Sequence, residues 1–404
     1  MNLASRSSSE PECGTMKKVL WVSGRLPTPL FSGDALYSAG ILKALTMTGE
    51  IALSLVGTRR TDQTIDAPLL GLPDITCVDV PPSQPSGLLS LLSSLPRDAY
   101  NLGTNELAQA LARMLKQDWD WIVIDHAYSS GLLPVILREK RQASICYVAH
   151  NAEGKIRPEI ARNFNNHLRQ IVMRLDAEKY RRLEQRILKV ADTVICITDA
   201  DASYFQQFAD KIYVIPPVFL GTVAPALTID STRPRALLLL GSFEWIAKQK
   251  NLELIIDALL PSFRQHGISL NVVGAVPQTL QDRYSDQGSH LKFHGRVADV
   301  SNLFRSSRGG LVPDMLGGGF KLKVMDYAFE RLPIFGLKLA LAGTTPEEQS
   351  AMFLAGQLDS LANIIVKNID DLDKLNANQK TLFGLFSERF GVERGMARVR
   401  QVFL

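Results

Sequence analysis

Residues 313–328 read PDMLGGGFKLKVMDYA, and this stretch decides the fold of the second half of the chain. The apolar run GGLVP (309–313) comes before it, and an apolar spacing of helical period runs through its end, so it is a strand end, a Gly-rich turn and a helix start, with the helix expected near 319–331. Gly317, Gly318 and Gly319 free the backbone to approach a ligand, and the first N–H groups of a helix favour an anion. Lys321 and Lys323 add positive charge there, with Phe320 beside them. Asp326 lies seven residues after Gly319, about two helical turns in, where a carboxylate can accept hydrogen bonds from ribose hydroxyls. The chemistry expected of this element is a grip on a nucleoside diphosphate.

Working outward, short apolar runs alternate with helical patterns on both sides. Before the Gly-rich turn come RALLLLGS (235–242), SLNVVG (269–274) and LKFHG (291–295), and after it LPIFG (332–336). Nearer the N-terminus the runs are KKVLWVS (17–23), IALSLVG (51–57), WIVID (121–125), ASICYVAH (143–150), ADTVICIT (191–198) and KIYVIPP (211–217). Such alternation signals βαβ units and parallel sheets. The spacing predicts an N-terminal Rossmann-like domain over 16–217, a linker over 218–235 and a C-terminal Rossmann-like domain over 236–380. A helical segment, 381–404, follows, free to pack on either. Ligands of open α/β sheets sit beyond the carboxyl ends of the strands, so the expected active site is a cleft that the two domains face.

A chain of 404 residues, 46% hydrophobic and 21% charged, can bury the cores of two domains. Its formal net charge of +4 gives no support to a nucleic-acid binder. Four scattered cysteines make neither a disulfide framework nor a zinc site. Residues 1–15 are polar and Ser-rich without a secretory apolar stretch, and they are expected to be a disordered tail of a cytoplasmic protein.

At residues 317–333 the sequence resembles the family-four (group 1) retaining glycosyltransferases, whose element reads Gly-x-Gly-x-Lys-x-Lys-x-x-Glu-Ala followed by Gly-x-Pro. The matching positions here are Gly317, Gly319, Lys321, Lys323 and Asp326, then Pro333. The family fold is GT-B, and the resemblance implies that this element holds the donor's diphosphate and ribose. LLLLGSFEWIAKQKNLELIIDAL (237–259) looks like the opening of the family's nucleotide domain, where a Gly-Arg pair and a Lys-Gly pair meet the phosphates. Here they read Gly241-Ser242 and Lys250-Asn251. FHGRVADVSNLF (293–304) is similar to the nucleobase-lining strand and loop, which brings in Gly295 and Val297. Three departures stand out: the family's ribose-binding Glu is Asp326 here, a shorter reach, Gly318 lies near the place of an acidic residue that often opens the family's paired-Glu motif, and Ser242 lacks an arginine's bidentate grip.

In the first domain the loop Gly24–Asp34, with Gly33 and Asp34, resembles the family's loop toward phosphates and acceptor. His126 and His150 each follow a strand, and the run His150-Asn151-Ala152-Glu153 is similar to a His-Asn-x-Glu signature in part of the family. His150, His126 and Lys323 are therefore the catalytic candidates. The reaction implied is transfer of a sugar from a nucleotide sugar to a glycan or lipid-linked acceptor with retention, and no cofactor is expected. Asp-x-Asp occurs at 118–120, 199–201 and 371–373, away from strand carboxyl ends, so no metal is expected.

Segment 155–190 carries ten Lys or Arg against four Asp or Glu, with apolar Ile160, Phe164, Leu168, Ile171, Leu175, Leu183 and Ile187 along it. It reads as one or two basic amphipathic helices, a solvated face or a peripheral contact with the inner face of the plasma membrane, reinforced by LLSLLSSL (88–95). Two rival functions fit the same double-Rossmann shape: a nucleotide-sugar epimerase and a non-catalytic binding relative. A dinucleotide oxidoreductase is disfavoured, because the first turn lacks Gly-x-Gly-x-x-Gly.

Overall fold

A computed structural model describes residues 16–28, 30, 32–61, 74–80, 87–162, 166–244, 246–297, 299–315 and 320–404. The chain forms two compact units, one of residues 1–218 with 392–404 and the other of residues 219–391. The 1–15 segment, expected to be a disordered tail, lies outside the described residues.

The first unit is built on a seven-stranded sheet, ordered β3-β2-β1-β4-β5-β6-β7. Its strands are β1 (Lys17–Ser23), β2 (Ile51–Arg60), β3 (Asp74–Val80), β4 (Trp121–Asp125), β5 (Ser144–Ala149), β6 (Thr193–Cys196) and β7 (Ile212–Val214). Every pairing is parallel, and the runs from Val19 to Val22 and from Ile122 to Ile124 are fully buried, as a sheet covered on both faces requires. The order of strand addition reverses between β1 and β4, where Ser23 lies opposite Asp125. This is the switch point at which such sheets bind ligands. The 155–190 segment is two helices, Glu153–Arg162 and His167–Leu188. The Glu184 carboxylate joins them by accepting the N–H groups of Glu153 (3.0 Å) and Gly154 (2.9 Å).

The second unit holds a six-stranded parallel sheet, ordered β10-β9-β8-β11-β12-β13. These strands are β8 (Ala236–Leu240), β9 (Ser269–Val273), β10 (Leu291–Phe293), β11 (Gly309–Val312), β12 (Ile334–Leu337) and β13 (Phe353–Ala355). Its switch point falls between β8 and β11. Two strands had no counterpart in the sequence reading, β3 and β13.

Segment 218–235, expected as a linker, belongs to the second unit from Phe219 onward. The Phe219 ring stacks on Phe329 at 4.1 Å, and Ile229 is buried. Side-chain amides of the helix Leu372–Phe390 replace a strand ladder here: Asn376 bonds both backbone groups of Ile229 at 2.8 Å, and Gln379 donates to the Leu227 carbonyl. Segment 381–404 is divided rather than single. The helix Leu372–Phe390 stays in the second unit, while Val392–Phe403 belongs to the first and packs on the helix Gly33–Met47. Phe403 meets Trp121 edge-on at 5.4 Å, and Arg400 pairs with Glu50 at 2.5 Å.

Candidate active site

In the first unit, four polar side chains gather at the switch point. Asp125, the last residue of β4, is buried, and both its oxygens accept from the Ser38 hydroxyl, at 3.0 and 2.8 Å. Ser23 donates to Asp125 Oδ2 at 3.3 Å, and His150 Nε2 lies 2.8 Å from Oδ1. A carboxylate only accepts, so Nε2 is the donor. Tyr37 packs its ring edge-on against His150 at 5.0 Å and anchors itself by donating to the Ile215 carbonyl.

His126 takes φ +72°, a conformation that costs a non-glycine residue on the order of 1–3 kcal/mol. Its ring stacks on Tyr128 at 4.0 Å and lies 4.6 Å from His150, and its buried Nδ1 has no hydrogen-bond partner among the described residues. Burial first, then the neighbouring His150 and Arg157, hold the imidazole well below its usual pKa, so it stays neutral. A pocket of about 210 Å³ opens here, lined by Arg25, Asp34, Ser38, Asp125, Tyr128 and His150 among others. His126 is not part of its wall; it supports Tyr128 and His150, which are. Gly33 is exposed and begins the helix Gly33–Met47, with Asp34 in its first turn. Sequence reasoning missed Asp125, Ser38 and Ser23.

In the second unit the helix is shorter than expected: it starts at Lys323 and ends at Phe329, so Lys321 precedes it and Asp326 sits in its first turn rather than two turns in. Tyr327, fully buried, fixes this helix to the sheet. Its hydroxyl donates to the Leu238 carbonyl at 2.9 Å and accepts from the Leu240 N–H at 3.0 Å. One turn before it, Lys323 Nζ pairs with Asp314 Oδ2 at 2.5 Å and reaches the Leu240 carbonyl at 3.4 Å. Asp326 is half-buried, and no donor among the described residues reaches its carboxylate. Burial, then Glu330, pushes that carboxyl up to about 7.

The carboxyl ends of β8, β9 and β10 converge through backbone. Gly241 N–H donates to Val273 O at 3.0 Å and Gly274 N–H to Gly295 O at 2.7 Å. Gly274 has φ +126°, and a Cβ there would sit 1.6 Å from the Gly241 carbonyl oxygen, so only glycine fits. Gly295 has φ +66°, and Val297 after it is exposed. Ser242 donates to Glu244 at 3.1 Å, and Glu244 pairs with Arg296 at 3.0 Å. A guanidinium from the neighbouring loop thus reaches the Ser242 turn, where the sequence resemblance expected an arginine. Lys250 is exposed and lies within the helix Ile246–Gln265, which begins earlier than the expected 250. Phe320, expected among the donor contacts, instead packs into the core and stacks on Phe390 at 5.0 Å. Gly317, Gly318 and Gly319 lie outside the described residues.

Four of the six Asp-x-Asp carboxylates are engaged in the fold. Asp118 pairs with Arg141, Asp120 with Lys17, Asp201 accepts from Thr198, and Asp371 caps the helix Leu372–Phe390.

Residues 234–371 match the Glycosyl transferases group 1 family. No curated protein matches the chain. Among solved structures, HepE from Anabaena in complex with UDP is 17% identical with a TM-score of 0.63, covering 96% of this chain and 99% of its own. The trehalose-6-phosphate structure from E. coli bound with UDP-2-fluoro glucose is 14% identical with a TM-score of 0.65, over 96% and 99%. The pneumococcal O-GlcNAc transferase GtfA, in complex with UDP and GlcNAc, is 12% identical with a TM-score of 0.61, over 96% and 99%. These likenesses show the fold class, GT-B, with two Rossmann-like α/β units.

Proposed function

We propose that this chain, whose residues 234–371 form a Glycosyl transferases group 1 domain, moves a sugar from a nucleoside-diphosphate sugar to a glycan or lipid-linked acceptor. The observation that carries the reading is Lys323 and Asp326 on one helix, fixed by Tyr327 at the switch point of the second sheet, inside the matched residues. A uridine nucleotide is the donor favoured, because HepE binds UDP and UDP-glucose and GtfA binds UDP.

During transfer the bond from the anomeric carbon to the phosphate oxygen breaks, and a bond to the acceptor oxygen forms. Lys323 and Lys321 offset the charge that grows on the departing diphosphate, and Lys250 and Arg296 are assigned the same role. Asp326, which no donor among the described residues reaches, accepts from the ribose hydroxyls. In a retaining transfer the departing phosphate oxygen takes the acceptor's proton, so no strong base is required. The ammonium groups supply the neutralising charge, and the reaction is read as metal-independent. The first unit's pocket, with Asp34, Ser38, Tyr128 and His150, is assigned to the acceptor.

A peripheral membrane contact belongs to the same reading. Leu168 (76% exposed), Ile171, Val172 and Leu175 form an exposed apolar stripe on the helix His167–Leu188, flanked by exposed Arg162, Arg169 and Arg174. Lys179 donates to the carbonyls of Ser90 and Leu91 at 2.8 and 3.0 Å, which ties exposed Leu89 and Leu92 to the same helix.

The experiment is UDP release from UDP-sugars in EDTA with and without a panel of glycan and lipid-linked acceptors. Acceptor-dependent release supports transfer. Release with free sugar and no acceptor dependence identifies an epimerase, and UDP binding without turnover identifies a binding protein.

A further inference from the structure

Lys323 and Asp314 form their 2.5 Å ion pair with side chains only 14% and 26% exposed. Asp314 follows the end of β11, and Lys323 begins the helix beyond it. An ammonium so placed is costly unless an anion faces it. The donor-site reading requires this ammonium to meet a diphosphate, yet the anion facing it in the free protein is a carboxylate of the chain itself.

We propose that Asp314 is a positioning residue that holds the place of the donor's diphosphate on Lys323, keeping the ammonium charged until the nucleotide takes it over. The inference rests on the donor-site reading of the preceding subsection. The charged groups acting on Lys323 are Asp314, Lys321 and Lys248. Burial lowers the pKa of Lys323, the two lysines push the same way, and Asp314 opposes all three. Without Asp314 the free protein therefore sheds the Lys323 proton at lower pH, and a diphosphate must restore it on binding. With Asp314 one anion exchanges for another, and no proton moves.

The test is calorimetric titration with UDP in EDTA from pH 8.0 to 9.5, in two buffers of different ionisation enthalpy. The window starts above the value near 7 to which burial pushes Asp326, so Asp326 is ionised throughout. Wild-type protein is expected to bind UDP without net proton uptake at pH 8. Asp314→Asn is expected to take up as much as about one proton, with affinity falling by up to about tenfold per pH unit above the pKa of the freed ammonium. Asp314→Glu is expected to restore the wild-type proton count. A merely structural Asp314 would change the unfolding midpoint and leave the proton count alone. Coincident pH profiles for wild type and Asp314→Asn overturn the inference while leaving the donor site standing. Proton uptake by the wild type at pH 8 overturns it too, and that measurement decides even if the variant fails to fold. No UDP binding to the wild type overturns the inference together with the donor-site reading.

Discussion

Asp326→Asn is predicted to make the protein more stable and worse at holding its donor. The carboxyl is pushed up to about 7 by burial and by Glu330, against about 3.9 in an unfolded chain. A carboxyl whose folded pKa is raised destabilises the fold in its charged form. The penalty is absent below about pH 4, grows through the window between the two values and is complete above about pH 7. The difference corresponds to at most about 4 kcal/mol, and with the side chain only half-buried a range of about 2–4 kcal/mol is expected at pH 8. The amide carries no charge and escapes it. Urea unfolding at pH 5 and pH 8 is the assay: the advantage of Asp326→Asn is expected to grow by about 1–3 kcal/mol between the two. The same variant is expected to bind UDP about tenfold to 10²-fold more weakly, since a hydrogen bond to a charged group contributes about 1.5–3 kcal/mol. A variant that is less stable at pH 8, or whose advantage does not change with pH, refutes the reasoning that this carboxylate is held against its own preference for a ligand.

Lys323→Ala is expected to lower kcat by on the order of 10²-fold while UDP affinity falls less, because the ammonium matters most as charge grows on the leaving diphosphate; steady-state kinetics with UDP calorimetry measures the split. Gly274→Ala is expected to cost more than about 3 kcal/mol, read by thermal unfolding, because its Cβ meets the Gly241 carbonyl oxygen and φ +126° excludes a side chain. The protein is expected to sediment with anionic liposomes at low salt and to be released at high salt, and Leu168→Glu with Leu175→Glu is expected to abolish this; equal binding to neutral liposomes would contradict it.

Much of the sheet architecture was legible because parallel strands buried on both faces announce themselves as apolar runs, and WIVID was read with its true ends, Trp121 and Asp125. β3 was missed because its described residues are half-buried to exposed, so DITCVDV carries no such run. β13 is three residues long, too short for any period. Segment 218–235 read as a linker because Asn376 and Gln379, far along the chain, supply the hydrogen bonds that a ladder would otherwise show as alternation. The division of the C-terminal segment was equally hidden. The apolar face of Val392–Phe403 is visible in sequence, but its partners, Ala44, Trp121 and Val218, are not.

The candidate site divides the same way. Lys323 and Asp326 share a helix, so their spacing is local information. Asp125, Ser38 and His150 come from three elements, and only the register of β1 on β4 and the packing of the helix Gly33–Met47 bring them together. A lone Ser in an apolar helix such as GDALYSAGILKALTM gives no sign that its hydroxyl serves a buried carboxylate 87 residues away. The Asp314–Lys323 pair is not legible either, because residues nine apart meet only once β11 and the helix Lys323–Phe329 are both in place.

The central claim is that the switch point of the second sheet, marked by Lys323 and Asp326, holds a nucleoside diphosphate. The most direct measurement is calorimetric titration of UDP into wild type, Lys323→Ala and Asp326→Ala in EDTA, with circular dichroism to confirm that each is folded. The account predicts saturable one-site binding to the wild type and about tenfold or greater weakening in each folded variant. Wild-type affinity in both folded variants would contradict it.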